Sequence, residues 1–531
     1  MRTTKPQSVA PHACHNCRRQ RRKCDRSEPH CAKCASRGIE CLGYGQLFLW
    51  TGGVASRGKL AGEASISSLL ETLSTKRART NPQLAVTRRG TAVAPGNRPA
   101  GPESEDVSTA GCSSLAQITP TNFGIAAPWA LVDPLFQDMR PSDRRYLDYF
   151  STRVCLDLVA HDVPDRNPFR NLIPLAHAHP LLHEVIISTS AAHMCNQARA
   201  LLSLNPYSNR DIPSRWAMDS LVAKQKALQM MPAALQAMDT VGYDVILAAA
   251  LFLVNIELIE SGKNGWKPHL EGTRRIMSMI QPLAAADEGL RDYIMSDCLV
   301  YHILNSAFAP PAPDMRTQLR SWDLMAILEK TTNSYFCCPP EVLEIVHLAS
   351  QLPRETEENT GSSNEVSPAG AALLHRAQSV DVLAWALKIR EVPALANTSI
   401  GSRFRAGSAH RLALCLYIMQ AAPSVQRWVG KEVTDVMMDD LHRTLEAIPP
   451  TDSNFKSTSW ATFIFGATAK SPERKAWVID RLRRLAVAYP WGYLNTSMET
   501  LQILWGLEAE GKLTDNWLPT LRDPQHNILV V

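Results

Sequence analysis

The sequence predicts a small cysteine-rich N-terminal domain followed by a large body built from α-helices. Six of the 13 cysteines fall between residues 14 and 41. A stretch rich in Ser, Thr, Ala, Gly and Pro follows, which is typical of a flexible linker. From about residue 127 onward, apolar residues recur at helical spacing and alternating strand patterns are scarce. We therefore expect three regions, at 10–45, 46–126 and 127–531.

Basic charge is concentrated at the N-terminus. Residues 1–60 contain 12 Lys and Arg against three Asp and Glu, whereas the remaining residues contain 44 basic and 48 acidic side chains. This asymmetry favours a polyanion as the partner of the first region. The first 30 residues lack the apolar core of a secretory leader, so we expect an intracellular protein with reduced thiols. The longest apolar run, Val245 to Val254, is too short to span a bilayer and predicts a buried helix, with no membrane partner.

The cysteines repeat a C-x2-C-x6-C pattern, which predicts a two-metal thiolate cluster. Two-residue spacing lets neighbouring thiolates bind one ion, and tetrahedral thiolate sites suit zinc. Six sulfurs satisfy two four-coordinate ions only if two of them bridge, and the repeat nominates the first cysteine of each half. The zinc would supply the folding energy that so short a segment lacks. We predict two Zn²⁺ ions, bridged by Cys14 and Cys31, within the ligand set Cys14, Cys17, Cys24, Cys31, Cys34 and Cys41.

Other interpretations of the cysteines are weaker. Three disulfides would need an oxidising compartment, and iron–sulfur clusters usually take four cysteines at other spacings. Histidines close enough to be ligands are His12, His15 and His30, although the sulfurs already suffice.

On these residues the segment resembles the fungal Zn2Cys6 binuclear-cluster transcription factors, and Pro29 is similar to the loop proline of that family. The resemblance implies a nuclear transcription factor that acts with RNA polymerase II and co-regulators and binds double-stranded DNA, usually at CGG-containing sites. Residues 42–62 and the body resemble one subgroup, which includes regulators of the acriflavine sensitivity control type. The fold class is then a small zinc-stabilised binuclear cluster domain plus a large all-α helical regulatory domain. A homodimer is left open.

A basic run between Cys17 and Cys24 is the predicted DNA-binding surface. Phosphate contacts give affinity, whereas Arg or Lys reads sequence at guanine O6 and N7. The resemblance places base reading at the third and fourth residues after Cys17, which are Gln20 and Arg21. Glutamine can pair with adenine, so we expect Gln20 to alter the CGG preference. Including two phosphate contacts from the second half, the predicted set is Arg18, Arg19, Gln20, Arg21, Arg22, Lys23, Lys33 and Arg37.

The linker carries a basic cluster that matches a nuclear-import signal, at Lys76, Arg77 and Arg79. The run from Arg18 to Lys23 could serve the same purpose. No series of three or more heptads follows the cysteines, so a dimerising coiled coil is not predicted.

Helical periodicity organises the body. Pro180 is typical of a helix start, and Trp266 and His269 lie in a stretch similar to one of that subgroup, for which we expect a packing role. Two apolar stripes are predicted, one at Tyr146, Phe150, Val154 and Leu158 and one at Val433, Val436, Met437, Leu441, Leu445 and Ile448. Further helices are predicted near 216–231, 243–260, 266–280, 290–305, 341–352, 371–391, 408–421, 471–488 and 497–510.

The sequence predicts no enzyme. It contains no GxSxG, HExxH, P-loop or GxGxxG motif, and His179 and His183 are better explained as an ordinary histidine pair than as a metal site. The alternative function is a zinc-dependent nucleic-acid-binding adaptor whose helical body mediates protein interactions. Selection from random DNA duplexes separates the two, because only a transcription factor with promoter specificity would enrich a motif.

Overall fold

The computed structural model describes part of the cysteine-rich segment and most of the helical body. The predicted import signal, residues 42–62 and four other residues of the sequence analysis lie outside the described part: Lys76, Arg77 and Arg79, then His15, Arg19, Arg21 and Pro29. Side chains of 201–204 and 211–213 are also left aside. The described residues are 10, 12–14, 17–18, 20, 22–28, 30–37, 41, 139–163, 166–204, 211–263, 265–280, 288–310, 323–353, 366–523, 525 and 528–531.

The cysteine-rich segment has a core made of sulfur. Its buried cysteine side chains pack on one another, with Cys24 half-buried beside them. Helix α1 (Ala32–Ala35) begins after Cys31, whose side chain accepts a hydrogen bond from the Cys34 N–H. Since so small a segment cannot build an adequate apolar core, its fold depends on what the cysteines bind.

The body is helical, and its described residues contain isolated β-bridges but no strand. Short 3₁₀ turns lie at Pro168–Asn171, Lys388–Glu391, Pro393–Leu395 and Lys456–Thr458, and a π-helical turn at Phe150–Val154. The α-helices are α2 (Pro141–Tyr149), α3 (Cys155–Asp157), α4 (Leu172–Ala178), α5 (Pro180–Leu204), α6 (Asp211–Gln236), α7 (Met238–Val241), α8 (Tyr243–Glu260), α9 (Trp266–Met277), α10 (Glu288–Phe308), α11 (Leu324–Leu328), α12 (Pro340–Ser350), α13 (Pro368–Ser379), α14 (Val382–Leu387), α15 (Ile400–Ala421), α16 (Pro423–Val429), α17 (Lys431–Glu446), α18 (Ser459–Thr468), α19 (Pro472–Ala488), α20 (Tyr493–Ala509) and α21 (Leu518–Leu521).

Helix α8 lies at the centre of the body's core. Every side chain from Val245 to Ile259 is buried, and the helix packs against α5, α9 and α10. A helix that is apolar on all sides needs neighbours on all sides, which explains why this run is not amphipathic. In the part of the chain that the structure describes, no helix is both long and apolar enough to cross a membrane.

The apolar stripe predicted over residues 433–448 is wrong in its first turns. Val433 and Val436 are 46% and 58% exposed, whereas Met438 and Leu441 are buried. By the helical period, Val433 and Val436 fall on the opposite side of α17 from Met438. The buried face therefore begins at Met438 and continues through Leu441 and Leu445.

Candidate metal centre and nucleic-acid interface

Six thiols converge in the cysteine-rich segment. Their sulfur atoms form two groups of four, and the atoms of each group all lie within 4.8 Å of one another. Cys14 and Cys31 belong to both groups, which follows the repeat in the sequence. The other members are Cys17 and Cys24 in the first group and Cys34 and Cys41 in the second.

The sulfur spacing fits tetrahedral zinc. Four sulfurs at the usual Zn–S distance of about 2.3 Å lie ~3.8 Å from one another. The distance between sulfurs is 3.5 Å for Cys14 and Cys31, 3.8 Å for Cys14 and Cys34, and 3.8 Å for Cys17 and Cys31. Burial raises the pKa of the Cys14 and Cys31 thiols, and a bound cation opposes this effect because it favours the thiolate. The donor set therefore fits two zinc ions that share two sulfurs.

The two halves of the repeat make the same hydrogen bonds. In each half, the first cysteine's N–H donates to the sulfur of the third, and the second cysteine's N–H donates to the sulfur of the first. The donor–acceptor distances are 3.4 Å for Cys14 to Cys24, 3.4 Å for Cys31 to Cys41, 3.4 Å for Cys17 to Cys14, and 3.3 Å for Cys34 to Cys31. Peptide N–H groups directed at sulfur stabilise negative charge on it, so both halves are arranged for thiolates.

Asp25 links the two halves. It follows Cys24 of the first half, and its carboxylate accepts hydrogen bonds from the Ala32 N–H at 2.9 Å and the Lys33 N–H at 3.0 Å, at the start of α1. The Ser27 hydroxyl donates to the same carboxylate, and these bonds lower the pKa of Asp25. The sequence interpretation did not single out this residue, because an aspartate seven positions before a helix lies outside the usual capping position.

The basic run is attached directly to the cysteines. The Arg18 N–H donates to the Cys14 carbonyl at 2.9 Å, and the Arg22 N–H donates to the Cys17 carbonyl at 2.8 Å. Two cysteines of the sulfur groups therefore fix the backbone at both ends of the run. Of the predicted DNA contacts, the structure describes the following, all of them exposed: Arg18, Gln20, Arg22, Lys23, Lys33 and Arg37.

Gln20 and Arg37 contact each other although they lie in different halves. Arg37 Nη1 donates to Gln20 Oε1 at 2.6 Å. Because a guanidinium can only donate, this contact turns the amide oxygen of Gln20 toward Arg37 and its NH₂ group away. No pattern in the sequence predicts a pairing over this separation.

The histidines considered as ligands do not join the sulfur groups. His12 and His30 are exposed, and neither belongs to a cluster of metal-binding side chains among the described residues. His179 and His183 form no such cluster there either; His183 Nε2 instead lies 4.0 Å from the Asp143 carboxylate.

Family models match both regions of the chain. The fungal Zn(2)-Cys(6) binuclear cluster domain matches residues 12–50, and the fungal specific transcription factor domain matches residues 145–531. The chain belongs to the fungal Zn2Cys6 transcription factors. As a member of this family it is a DNA-binding regulator of transcription whose cluster domain binds two zinc ions. Members of the family act in the nucleus, and such transcription-factor families are generally not enzymes.

One relative of this Zn2Cys6 protein aligns along nearly its whole length. The acriflavine sensitivity control protein acr-2 of Neurospora crassa is 30% identical over 596 aligned residues, which cover 98% of this chain and 97% of the relative. This confirms the resemblance to regulators of the acriflavine sensitivity control type. No solved structure matches the chain.

Proposed function

We propose that this protein is a nuclear, sequence-specific regulator of RNA polymerase II transcription that binds CGG-containing promoter sites. The observation that carries the proposal is the basic run whose two ends are hydrogen-bonded to cysteines of the sulfur groups. A run fixed in this way presents its side chains in one arrangement, which reading a base sequence requires and non-specific attraction to phosphate does not. The proposed regions are 10–45 for DNA binding, 46–126 as linker and 127–531 for regulation.

The cysteines would hold the two ions as the sulfur groups suggest. One zinc would take Cys14, Cys17, Cys24 and Cys31, and the other would take Cys31, Cys34, Cys41 and Cys14. Bound zinc supplies the folding free energy of this small domain. Hydrogen bonds to Asp25 join the two halves of the repeat. A DNA contact made by one half would therefore fix the position of the other.

Within the basic surface, we assign base reading to Arg21 and Gln20 and phosphate contact to Arg18, Arg19, Arg22, Lys23, Lys33 and Arg37. Arg21 suits guanine because its fork can donate to both O6 and N7. Arg37 donates one N–H to Gln20, and its other donors can serve a phosphate.

The contact from Arg37 also bears on what Gln20 reads. Bidentate pairing with adenine needs both the amide oxygen and the amide NH₂ of a glutamine. The Gln20 oxygen already accepts from Arg37, so the NH₂ group is left to face the base. Guanine presents acceptors at N7 and O6, and we therefore propose, in place of the altered preference that the sequence alone leads us to expect, that Gln20 supports guanine at this position and keeps the CGG preference.

The regulated genes are proposed from the name of the relative. Because that protein is named for control of acriflavine sensitivity, we place this chain in a drug-response programme, ahead of metabolic or secondary-metabolite genes. The helical body would bind transcriptional co-regulators and support a homodimer. Lys76, Arg77 and Arg79 would direct nuclear import.

Selection from random DNA duplexes at physiological salt tests the proposal. The zinc-loaded full-length protein should enrich a motif that contains CGG. It should bind duplexes with that motif much more tightly than scrambled duplexes. Enrichment no better than non-specific binding would exclude a sequence-specific regulator and would favour the adaptor instead.

Two single substitutions distinguish a residue that contacts a base from one that contacts phosphate. Arg21→Ala should cost about 1–3 kcal/mol of binding to the selected duplex and should relax the sequence preference at one position. Lys33→Ala should weaken binding to selected and scrambled duplexes alike and should lower the salt dependence by about one ion. Equal behaviour of the two variants would contradict the assignment.

A further inference from the structure

A cleft in the helical body contains a buried arginine. The cleft lies between α10, α12, α14, α15 and the loop at residues 331–338, and it is partly open to solvent. Its lining mixes hydroxyl groups, such as those of Ser296 and Thr331, with the apolar side chains of Val300, Leu328 and Leu343. Arg403 of α15 also lines it, although the residue is only 3% exposed.

Only part of the hydrogen-bonding capacity of the Arg403 guanidinium is used. Its guanidinium lies 3.9 Å from the centroid of the Trp385 ring, and its Nη1 donates to the Thr332 carbonyl at 2.8 Å, with the Cys337 sulfur 3.9 Å away. Its Nε is buried without a hydrogen-bond partner. Within the described residues, Nη2 makes no hydrogen bond and no carboxylate lies within ion-pair distance. The nearby Asp452 carboxylate instead accepts from the Ser402 hydroxyl.

Two other cations that are buried in the described part of the body, Lys224 and Arg481, have partners. Lys224 lies 2.6 Å from a Glu257 oxygen and 3.1 Å from a Glu260 oxygen. Arg481, which is 4% exposed, uses three of its nitrogens on the oxygens of Thr462, Ile448 and Thr458. Arg403 therefore differs from them, because a buried guanidinium with unused donors is costly unless an acceptor completes it.

We infer that this cleft binds a small organic carboxylate with an apolar body, and that Arg403 holds the carboxylate group. Because Nε is buried, Nη2 is the nitrogen that can donate to a carboxylate oxygen in the cleft, and the positive charge of the guanidinium strengthens that hydrogen bond. The Trp385 ring fixes the plane of the guanidinium. The apolar lining at Val300 and Leu343 suits the rest of the ligand, and a single buried cation suits a monoanion rather than a polyphosphate.

Two exposed charges at the cleft provide a test that leaves the core intact. Lys388 and Glu329 both line the cleft, their side chains are 56% and 52% exposed, and they lie 3.6 Å apart. An anion in the cleft is attracted by the first and repelled by the second. Removing either charge should leave the fold unchanged, since exposed ion pairs contribute little stability.

The experiment is isothermal titration of the full-length protein with benzoate, and with benzamide as its neutral counterpart. Benzoate should bind with a Kd on the order of 1 mM, and benzamide at least about tenfold more weakly. Arg403→Met should weaken benzoate binding by about tenfold or more. Lys388→Met should weaken it by about twofold, and Glu329→Gln should strengthen it by about twofold.

Several outcomes would overturn the inference. Absence of benzoate binding to the wild-type protein at 10 mM ligand, or equal binding of benzamide, would show that the cleft takes no carboxylate. If Arg403→Met fails to fold, the two rim variants decide: equal affinities for Lys388→Met and Glu329→Gln would place the anion elsewhere.

Discussion

At the scale of single residues, burial decides how this chain uses positive charge. The described basic residues of the cysteine-rich segment are exposed, where a polyanion can reach them. In the body, Lys224 is enclosed by two carboxylates. Burial alone would lower the pKa of Lys224, but the charges of Glu260 and Glu257 outweigh it and raise the pKa to about 12. The same residue type is an exposed charge in one region and an internal link in the other.

Lys224→Met should therefore destabilise the body strongly. The substitution leaves Glu257 buried without its cation, which should cost about 3–5 kcal/mol. Lys226→Met on the same helix is the matched control: Lys226 pairs with Glu184 at 2.9 Å but is 42% exposed, so its loss should cost less than about 1 kcal/mol. Urea unfolding followed by tryptophan fluorescence measures both. Similar midpoints for the two variants would contradict this account of the buried triad.

The contact between Arg37 and Gln20 makes a second prediction at this scale. Without Arg37, the Gln20 amide can rotate and offer both of its groups to adenine, so Arg37→Ala should lower the preference for guanine over adenine at one position by about tenfold. Competition between duplexes that differ at that base measures the ratio. Lys33→Ala should weaken binding and leave the ratio unchanged. An unchanged ratio for Arg37→Ala would show that the contact does not orient Gln20 on DNA.

At the scale of helices, the sequence predicts an element well where a proline or an abrupt change of pattern marks its end. The predictions 243–260 and 471–488 correspond to α8 (Tyr243–Glu260) and α19 (Pro472–Ala488). The single helix predicted over 371–391 is wrong, because the chain breaks after α13 at Val380. There the Asp381 side chain accepts from the Ala384 N–H at 2.9 Å and starts α14. The apolar pattern continues across this N-cap residue, so helical periodicity alone does not reveal the break between the two helices.

The cysteine groups and the cleft at Arg403 also differ in how far the sequence predicts them. The cysteine groups could be predicted because their ligands lie within 28 residues and repeat, so local spacing carries the geometry. The cleft at Arg403 could not, since its lining comes from Ser296 to Arg403 through tertiary packing. The link from Asp25 and the contact between Gln20 and Arg37 also depend on how two halves face each other, which spacing alone does not give.

The turn after α8 makes a prediction at this scale. Gly262 has φ +69°, and a Cβ there would lie 2.6 Å from the Tyr493 Cβ of α20. Gly511 has nearly the same φ, +68°, but a Cβ there would meet nothing within 4 Å. Gly511→Ala should cost about 1 kcal/mol from backbone conformation alone. Gly262→Ala should cost about 1–3 kcal/mol more, because α20 must move. Thermal unfolding compares the two, and equal Tm values would show that the α8–α20 contact is loose.

At the scale of the whole molecule, the two regions depend on different forces. The cysteine-rich segment has sulfur where a core would be, whereas the body buries an apolar helix among its neighbours. Of the five buried histidines in the described part of the body, three have a pKa low enough to keep them neutral. Burial lowers the pKa of His269 to about 3, of His302 to about 3 and of His410 to about 4.

These histidines predict that acid destabilises the body. Their pKa in the unfolded chain is about 6.5, so below that pH the unfolded state binds more protons than the folded state. Stability is therefore full above pH 6.5 and falls as the pH drops toward the folded pKa values, by up to about 1.4 kcal/mol per unit for each histidine. Buried Asp297 acts in the opposite direction, because burial raises its pKa and favours the folded state in acid. Tm measured from pH 7 to pH 5 should decline, with a smaller slope for His302→Gln; a flat profile would contradict the prediction.

The central claim is that zinc bound by the six cysteines enables the basic run to bind DNA with sequence specificity. The most direct measurement is the ratio of affinities of the full-length protein for a CGG-containing duplex and a scrambled duplex, taken with zinc, after chelation and after zinc is restored. Residues 14–41 contain no tryptophan, so tryptophan fluorescence reports separately that the body remains folded. We predict that chelation abolishes the preference, that zinc restores it and that the fluorescence stays unchanged. A preference that survives removal of zinc would contradict the account.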